Sequence, residues 1–158
     1  MPDKKGKEIN RRSVFFIASA ILTLDQLSKF FITARLSIGE SITLVPNKLR
    51  LTLVYNSGTA FGLFGGHARV FAILSGAVIL FLAAYLFLKR SHAPGVSPAS
   101  LALILGGAAG NLIDRVRLGY VIDFLDIIVW PVFNLADMAI TSAVFLLIGS
   151  MFLKRDIL

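Results

Sequence analysis

The feature that most constrains this chain is an uncharged apolar run over residues 70–88. It is bounded by Arg69 on one side and by Lys89 and Arg90 on the other. A hydrocarbon core about 30 Å thick is crossed by a helix of about 20 predominantly apolar residues. A run of this length without a charge therefore predicts a transmembrane helix rather than a helix of a soluble core.

Three further apolar runs extend this interpretation to the whole chain. They cover about residues 13–32, 95–113 and 133–153, so we predict four transmembrane helices in one integral membrane domain over residues 1–158. The composition agrees, because only 16% of the residues are charged, whereas a soluble domain has about 25%. The first run follows a basic head, but it lacks a small-residue cleavage site, so we expect a retained helix rather than a cleaved signal peptide.

The basic residues indicate how these helices are oriented. Lys and Arg are concentrated in the two tails and in the connection between helices two and three, whereas the other two connections are longer and carry fewer. By the positive-inside rule, both termini are cytoplasmic and the segments at about residues 33–69 and 114–132 are extracytoplasmic. The net charge of +7 then reports topology, and no nucleic acid partner is expected. With no Cys, disulfides and thiolate chemistry are excluded.

The first extracytoplasmic segment has the pattern of a β-hairpin. Leu49, Leu51 and Leu53 alternate with Arg50 and Thr52, which is the period of a strand with one apolar face. Residues 41–45 precede this strand, and the Pro-Asn turn between them allows the two to pair. Beyond the hairpin, residues 60–64 are apolar enough to lie on the bilayer surface.

Charged residues in the predicted helices need a partner or a role, since each costs about 2.5–3.5 kcal/mol on insertion scales. Asp25 and Lys29 lie four residues apart with the acid first, the order that favours an ion pair along a helix, and we expect a structural pair. Asp114 lies where helix three reaches the outer surface, and pairing with an Arg would explain it. In the same helix, Gly106 and Gly110 form a small-residue face for close packing.

Asp123 and Asp137 differ from these acids, because the predicted topology places both at the same outer rim of the helix bundle. We place Asp123 in the short loop that leaves helix three and Asp137 at the start of helix four, and neither has a basic residue within four positions. Two carboxyl groups brought together in a partly desolvated place share one proton. One residue type then supplies an acid and a base, as peptide hydrolysis by activated water requires.

The same acids leave other functions open. Rim carboxylates without a catalytic role, a proton-coupled transporter or channel, and a membrane assembly factor would have the same pattern. A Ser/Lys protease is not indicated, since the neighbours Ser28 and Lys29 do not face each other on a helix. A carboxylate site for Mg²⁺ or Ca²⁺ could be built from Asp114, Asp123, Asp126 and Asp137.

Four sequence blocks resemble those of the bacterial lipoprotein signal peptidases, the signal peptidase II family of membrane aspartic proteases. They occur in the family's order and positions relative to four helices, and the match extends over essentially the whole chain from helix one. The combination is highly specific, although no single block is. The blocks cover residues 24–29 (LDQLSK), 55–61 (YNSGTAF), 106–115 (GGAAGNLIDR) with 121–124 (VIDF), and 133–137 (FNLAD).

The resemblance implies a role for each matching residue. Asp123 and Asp137 would be the catalytic dyad, and Asp25, Lys29 and Asp114 would support the structure. The family fold is similar to the one argued above, with four transmembrane helices, a small extracytoplasmic β-sheet and a surface helix over the site. The remaining polar residues would hold the substrate backbone and orient the dyad: Asn56, Asn111, Arg115 and Asn134.

The resemblance also implies a substrate and a location. Family substrates are prolipoproteins whose cysteine, next to the cleaved signal helix, carries a diacylglyceryl group, and the enzyme cuts before that cysteine. We expect these precursors and membrane lipid as partners, no cofactor or metal, and a monomer in the bacterial cytoplasmic (inner) membrane with its active site near the outer face. Ser57, Thr59 and Met138 depart from residues common in the family, which affects pocket shape and leaves the polar contact residues in place.

Overall fold

The computed structural model describes residues 10–58, 68–89 and 96–153. This part of the protein is mostly helical, with an α-helix over each of the four apolar runs and a small antiparallel sheet. Residues 60–64, which we expected on the bilayer surface, and Thr59 lie outside the described residues. The elements in chain order are α1 (Arg11–Thr33), β1 (Ser41–Val45), β2 (Leu49–Asn56), α2 (Ala68–Leu88), α3 (Pro98–Leu118), β3 (Val121–Asp126) and α4 (Leu135–Leu153).

Helix α3 begins and ends at strong local signals. Ser97 is its N-cap, with a side chain that accepts a backbone hydrogen bond, and Pro98 occupies the first turn. Gly119 closes the helix with φ 81°, a left-handed conformation that glycine adopts without steric cost. The helix therefore continues beyond residue 113, where we expected its end, and Asp114 lies within a helical turn.

Helix α3 is the centre of the bundle, since it packs against α1, α2 and α4. Its glycines permit the close approach. A Cβ at Gly106 would lie 2.7 Å from the carbonyl oxygen of Ala18 in α1, and one at Gly107 would lie 2.6 Å from that of Ala136 in α4. Gly110 also packs against both neighbours, so the predicted small-residue face is confirmed.

At the end of the bundle away from the sheet, the contacts of Arg11 show that α1 and α2 run in opposite directions. Arg11, in the first turn of α1, donates from Nη2 to the carbonyl oxygens of Phe87 at 3.2 Å and Lys89 at 3.3 Å, at the C-terminal end of α2. These contacts satisfy carbonyls that a helix end leaves without a partner. The apolar core of α1, α2 and α3 lies between these hydrogen bonds and the sheet. Its buried residues are Val14, Ala18, Leu82, Leu86, Leu101 and Ala102.

The three strands form one antiparallel sheet in the order β1, β2, β3. The predicted hairpin is confirmed, and in its register Leu51 of β2 lies between Ile42 of β1 and Leu125 of β3. Asp123 pairs with Val54, so it lies in a strand and our placement in a loop was wrong. Strand β3 follows α3 and precedes α4, and its Leu125 pairs with Phe133 just before α4. Asp123 of β3 therefore lies close to the first turn of α4.

The outward faces of the helices are strongly apolar. In α2, Leu80 is 72% exposed and Leu88 is 80% exposed, as is typical of a surface that contacts lipid. Among the described residues, α1, α2 and α3 are each long and apolar enough to cross a membrane, and the apolar part of α4, Leu135–Ser150, is shorter.

Candidate active site

A pocket of about 560 Å³ lies where the sheet meets the bundle. Asp123 and Asp137 both line it, so the structure brings together the two carboxyl groups that the sequence placed on one rim. Polar side chains predicted around the dyad line it as well, namely Asn56, Asn111 and Arg115. Its remaining walls are largely apolar and come from α4 and from the segment that precedes this helix.

Asp123 is held in β3 by two amide groups. Asn56 donates from Nδ2 to Oδ2 at 2.9 Å, and Asn134 donates from Nδ2 to Oδ1 at 2.7 Å. Because Asp123 is only 1% exposed, burial disfavours its charged form, and the charge of Asp137 disfavours it further. These effects outweigh the two amide donors and raise the pKa of Asp123 to about 7.

Asp137 lies in the first turn of α4 and forms a variant of the capping box with Asn134, the residue at the N-cap position. The Asn134 Oδ1 accepts a hydrogen bond from the Asp137 N–H at 2.9 Å, and the Asp137 Oδ2 accepts one from the Asn134 N–H at 3.3 Å. Asn111 donates from Nδ2 to the other oxygen, Oδ1, at 2.8 Å. Each carboxylate oxygen therefore has a donor, and the helix N-terminus favours negative charge there.

Asn134 and Asn111 connect the two carboxyl groups. The Nδ2 that Asn134 directs to Asp123 also lies 3.1 Å from the Asn111 Oδ1, and the amide nitrogen of Asn111 donates to Asp137. Asn134 is fully buried and Asn111 is 5% exposed, so little of either amide is accessible to solvent. The network fixes which end of each amide faces which carboxyl group.

A buried lysine holds the far end of this network. Lys29 Nζ donates to the Asn111 Oδ1 at 3.3 Å and forms ion pairs with Asp25 at 2.8 Å and Asp114 at 2.7 Å. The predicted pair of Asp25 and Lys29 is therefore present. Asp114 pairs with this lysine rather than with an Arg, because the close packing of α1 against α3 brings Nζ within reach of its carboxylate.

Gln26 and Asp25 extend the network to the start of α4. Gln26 donates from Nε2 to Asp25 at 3.2 Å and to Asp114 at 3.0 Å. Asp25 Oδ1 accepts the Ala136 N–H at 3.0 Å, so a side chain of α1 caps the helix that carries Asp137. We did not predict a role for Gln26, whose one signal in the sequence is a polar residue beside a charged pair in an apolar helix.

Arg115 and Asn56 complete the polar wall of the pocket. Arg115 lies one turn beyond Asn111, with its Nη1 3.4 Å from the Asn111 carbonyl oxygen and its Cζ 5.8 Å from the ring centre of Phe71. The Asn56 Oδ1 accepts the Gly58 N–H at 3.0 Å, which turns the amide nitrogen of Asn56 towards the dyad.

The four aspartates considered as a cation site have separate partners. Asp114 pairs with Lys29 at 2.7 Å, and Asp126 pairs with Arg50 at 2.6 Å. In the part of the chain that the structure describes, no group of three or more His, Asp or Glu side chains could hold a metal ion. The carboxylate site for Mg²⁺ or Ca²⁺ is therefore not formed.

Most of the chain matches one known protein family. The model of the signal peptidase II (SPase II) family matches residues 17–153. The chain belongs to the signal peptidase II family. A lipoprotein signal peptidase of Moorella thermoacetica is 48% identical over 132 residues, which cover 83% of this chain and 87% of that protein. One of Halothermothrix orenii is 41% identical over 135 residues, which cover 85% and 92%.

Two solved structures of bacterial membrane enzymes have a similar fold. The first, obtained by the in meso method at 2.3 Å, is 28% identical with a TM-score of 0.86, and the match covers 95% of this chain and 93% of that chain. The second, at 1.9 Å, is 30% identical with a TM-score of 0.80, and the match covers 92% and 96%. This signal peptidase II is therefore a bacterial membrane endopeptidase that removes signal peptides from prolipoproteins.

Proposed function

We propose that Asp123 and Asp137 are the catalytic dyad of this peptidase and that they hydrolyse the peptide bond by activating water. One observation carries the proposal. Two carboxyl groups from different elements line the same pocket and are joined through the buried amides of Asn134 and Asn111. A general acid and a general base held in one site each contribute about 10²–10⁴-fold to the rate of such a reaction.

In this mechanism Asp137 is the base and Asp123 is the acid. The helix N-terminus favours a charge on Asp137, whereas the raised pKa of Asp123 lets it keep a proton near neutral pH. Asp137 removes a proton from water as the water oxygen bonds to the scissile carbonyl carbon, and Asp123 protonates the carbonyl oxygen. When the carbon–nitrogen bond breaks, Asp137 protonates the leaving amine and Asp123 recovers its proton from the tetrahedral hydroxyl group.

The polar residues around the dyad have different tasks in this proposal. Asn56 and Asn134 orient Asp123, and Asn111 orients Asp137, because their amide nitrogens donate directly to these carboxyl groups. Arg115 lines the pocket with donors to spare, since one guanidinium group carries five N–H groups. We assign it to the carbonyl oxygens of the extended substrate backbone.

For the membrane arrangement, we propose one integral domain over residues 1–158 with α4 as the fourth transmembrane helix and both termini cytoplasmic. Helix α4 has 19 residues, which corresponds to about 28 Å at 1.5 Å per residue. Arg11 at the start of α1 contacts the end of α2, so these two helices are antiparallel, as expected of a chain that crosses the membrane in alternating directions. The basic tails support the cytoplasmic location of both termini. The dyad then lies at the outer face of the bacterial cytoplasmic membrane in a monomeric enzyme.

We propose that the substrate is a prolipoprotein with a diacylglyceryl group on the cysteine after the cleavage site. The pocket supports this choice, because its polar end at the dyad continues into an apolar wall along α4 with Met138, Ile140 and Phe145. A peptide that reaches the polar end can therefore keep an acyl chain or an apolar signal helix against that wall and in lipid.

The test is cleavage of a synthetic precursor by the purified chain in detergent, with and without diacylglyceryl on the cysteine, and with the products identified by mass. We expect cleavage before the lipidated cysteine only, and its loss in Asp123→Asn and Asp137→Asn. Glu40→Gln is the matched control, since Glu40 is an exposed carboxylate on the chain, and it should cleave normally. Full cleavage by either dyad variant would overturn the assignment, and equal cleavage of both precursors would overturn the lipid requirement.

A further inference from the structure

An apolar tip loop, residues 127–130, lies between β3 and α4. Val129 is 88% exposed and Trp130 is 55% exposed, and Ile127 and Ile128 are 38% and 44% exposed. The chain carries no charged residue from 127 to 133. Water-facing surfaces rarely keep consecutive large apolar side chains exposed, so the tip loop has the composition of a segment that contacts an apolar phase.

The tip loop is held in a strained conformation. Ile128 has φ 71°, in the left-handed region that β-branched residues rarely adopt. The Val129 N–H donates to the Ile127 carbonyl oxygen at 2.8 Å. Together these features define a classic γ-turn, which is rare and strained. Such strain persists only where surrounding contacts impose it, and it is concentrated at functional segments.

A buried carboxylate imposes this turn. Asp126 is 4% exposed, and its Oδ1 accepts the Ile128 N–H at 2.8 Å. Its Oδ2 accepts hydrogen bonds from Arg50 Nε at 2.9 Å, Arg50 Nη2 at 2.6 Å and Thr52 Oγ1 at 2.9 Å. The sheet therefore fixes Asp126, and Asp126 fixes the turn.

The base of the tip loop is closed as well. Leu125 and Phe133 exchange two backbone hydrogen bonds, with N–H to oxygen contacts of 2.7 Å and 3.0 Å. Phe133 lies two residues before α4, so the tip loop projects from the point at which an apolar helix begins. Ile127 and Trp130 also line the pocket that contains Asp123 and Asp137, which places the tip loop beside the candidate active site.

We infer that the tip loop inserts into the boundary between headgroups and acyl chains of the leaflet nearest the site, and that Asp126 with Arg50 holds it there. Lipid fits better than a protein partner, because the tip loop carries no charged side chain and, in the membrane arrangement proposed above, continues directly into the lipid-facing surface of α4. Trp is the residue type most suited to headgroup level, where its ring is in apolar surroundings and its N–H reaches polar groups.

Trp130 is the only Trp in the chain, so Trp fluorescence measures the depth of the tip loop in the bilayer. The full chain is reconstituted in phosphatidylcholine vesicles with bromine on the acyl chains, either near the glycerol backbone or near the methyl end. We expect bromine near the glycerol backbone to quench the Trp130 fluorescence at least about twofold more strongly than bromine near the methyl end, as the interfacial preference of Trp predicts.

Paired variants test each half of the inference. Val129→Asp should lose most of the quenching by shallow bromine, whereas Val129→Thr, which keeps the branched shape without a charge, should retain it. Arg50→Gln removes two donors from Asp126 and should weaken the preference for shallow bromine. Lys48→Gln makes the same change of charge at an exposed neighbour and should leave the preference unchanged.

Several outcomes would overturn the inference. Trp130 could be unquenched by both lipids and accessible to aqueous iodide, which would place the tip loop in water. Stronger quenching from the methyl end would place it among the acyl chains. A response that changes only on addition of a peptide substrate would assign the tip loop to the peptide site. None of these experiments measures peptide cleavage, so a result that overturns this inference is distinguishable from one that overturns the proposed function.

Discussion

Asn134 and Asp137 hold each other by two reciprocal hydrogen bonds at the first turn of α4, at 2.9 Å and 3.3 Å. The same Asn134 side chain donates to Asp123 at 2.7 Å. One residue therefore begins the helix that carries the proposed base and also orients the proposed acid, so the stability of this helix start and the geometry of the dyad depend on one amide.

Two substitutions of Asn134 separate these tasks. Asn134→Ser keeps an N-cap oxygen but lacks the amide donor to Asp123, so we expect near-normal melting in detergent and a marked loss of turnover. Asn134→Ala removes both, and the lost cap alone costs about 1 kcal/mol of stability. Thermal unfolding and precursor cleavage of the two variants check this. Equal melting of both variants would contradict the capping role, and normal turnover of Asn134→Ser would contradict the orienting role.

The pH dependence of stability should identify Asp123 as the carboxyl group whose pKa is raised. Its pKa is about 7 in the folded protein and about 3.9 in an unfolded chain. The folded state thus favours the protonated form, and this stabilisation, about 4 kcal/mol at most, is full below about pH 4 and lost as the pH rises through 7. Asp123→Asn has no such titration.

We therefore expect Asp123→Asn to melt above the wild type at pH 8, with a smaller difference at pH 5. Thermal unfolding in a non-ionic detergent measures both. Glu40→Gln, which removes an exposed carboxylate, should show no such trend. If wild type and Asp123→Asn lost stability in parallel between these pH values, the raised pKa would belong to a different group.

The pH dependence of cleavage should show which carboxyl group is the acid. If Asp123 donates the proton, kcat/KM for the lipidated precursor falls above pH 7, approaching about tenfold per pH unit. A rise of kcat/KM through pH 7 would instead make Asp123 the base. The profile of Glu40→Gln should follow that of the wild type.

Lys29 should be essential for the fold, because it is buried between two carboxylates at 2.8 Å and 2.7 Å. Lys29→Met leaves Asp25 and Asp114 without their cation, and breaking a buried pair in this way costs about 3–5 kcal/mol. Lys48→Met, at an exposed turn, is the matched control and should melt normally. Thermal unfolding in detergent compares the two, and a normal melting temperature of Lys29→Met would show that the ion pairs add no stability.

The sequence predicted the elements whose signal is local. The apolar runs located the helices, alternation located β1 and β2, and the topology placed Asp123 and Asp137 on one rim. It did not predict β3, since acids at positions 123 and 126 interrupt the apolar pattern that identifies a strand. We also ended α3 at Ile113, the last residue of its uncharged run, although Gly119 was the more reliable stop signal.

Contacts between helices could not be predicted from spacing. Asp25 and Lys29 lie on one helix, so their pair follows from a separation of four residues. The partner of Asp114 is on another helix, and it depends on how closely α1 approaches α3. The same holds for Gln26 and for the cap that Asp25 provides to α4. Such contacts appear only when the glycines of α3 have set the distance between the helices.

Gly110 tests that dependence of the site on helix packing. A Cβ at Gly110 would lie 2.5 Å from Asp25 Oδ2, so Gly110→Ala must displace the carboxylate that pairs with Lys29 and caps α4. We expect lower thermal stability in detergent and reduced cleavage. Gly76→Ala in α2 is the matched control, because a Cβ there meets nothing within 4 Å, and it should gain about 0.5–1 kcal/mol from the lower chain entropy of Ala. If both variants melted and cleaved alike, the close approach at Gly110 would have no part in positioning the dyad.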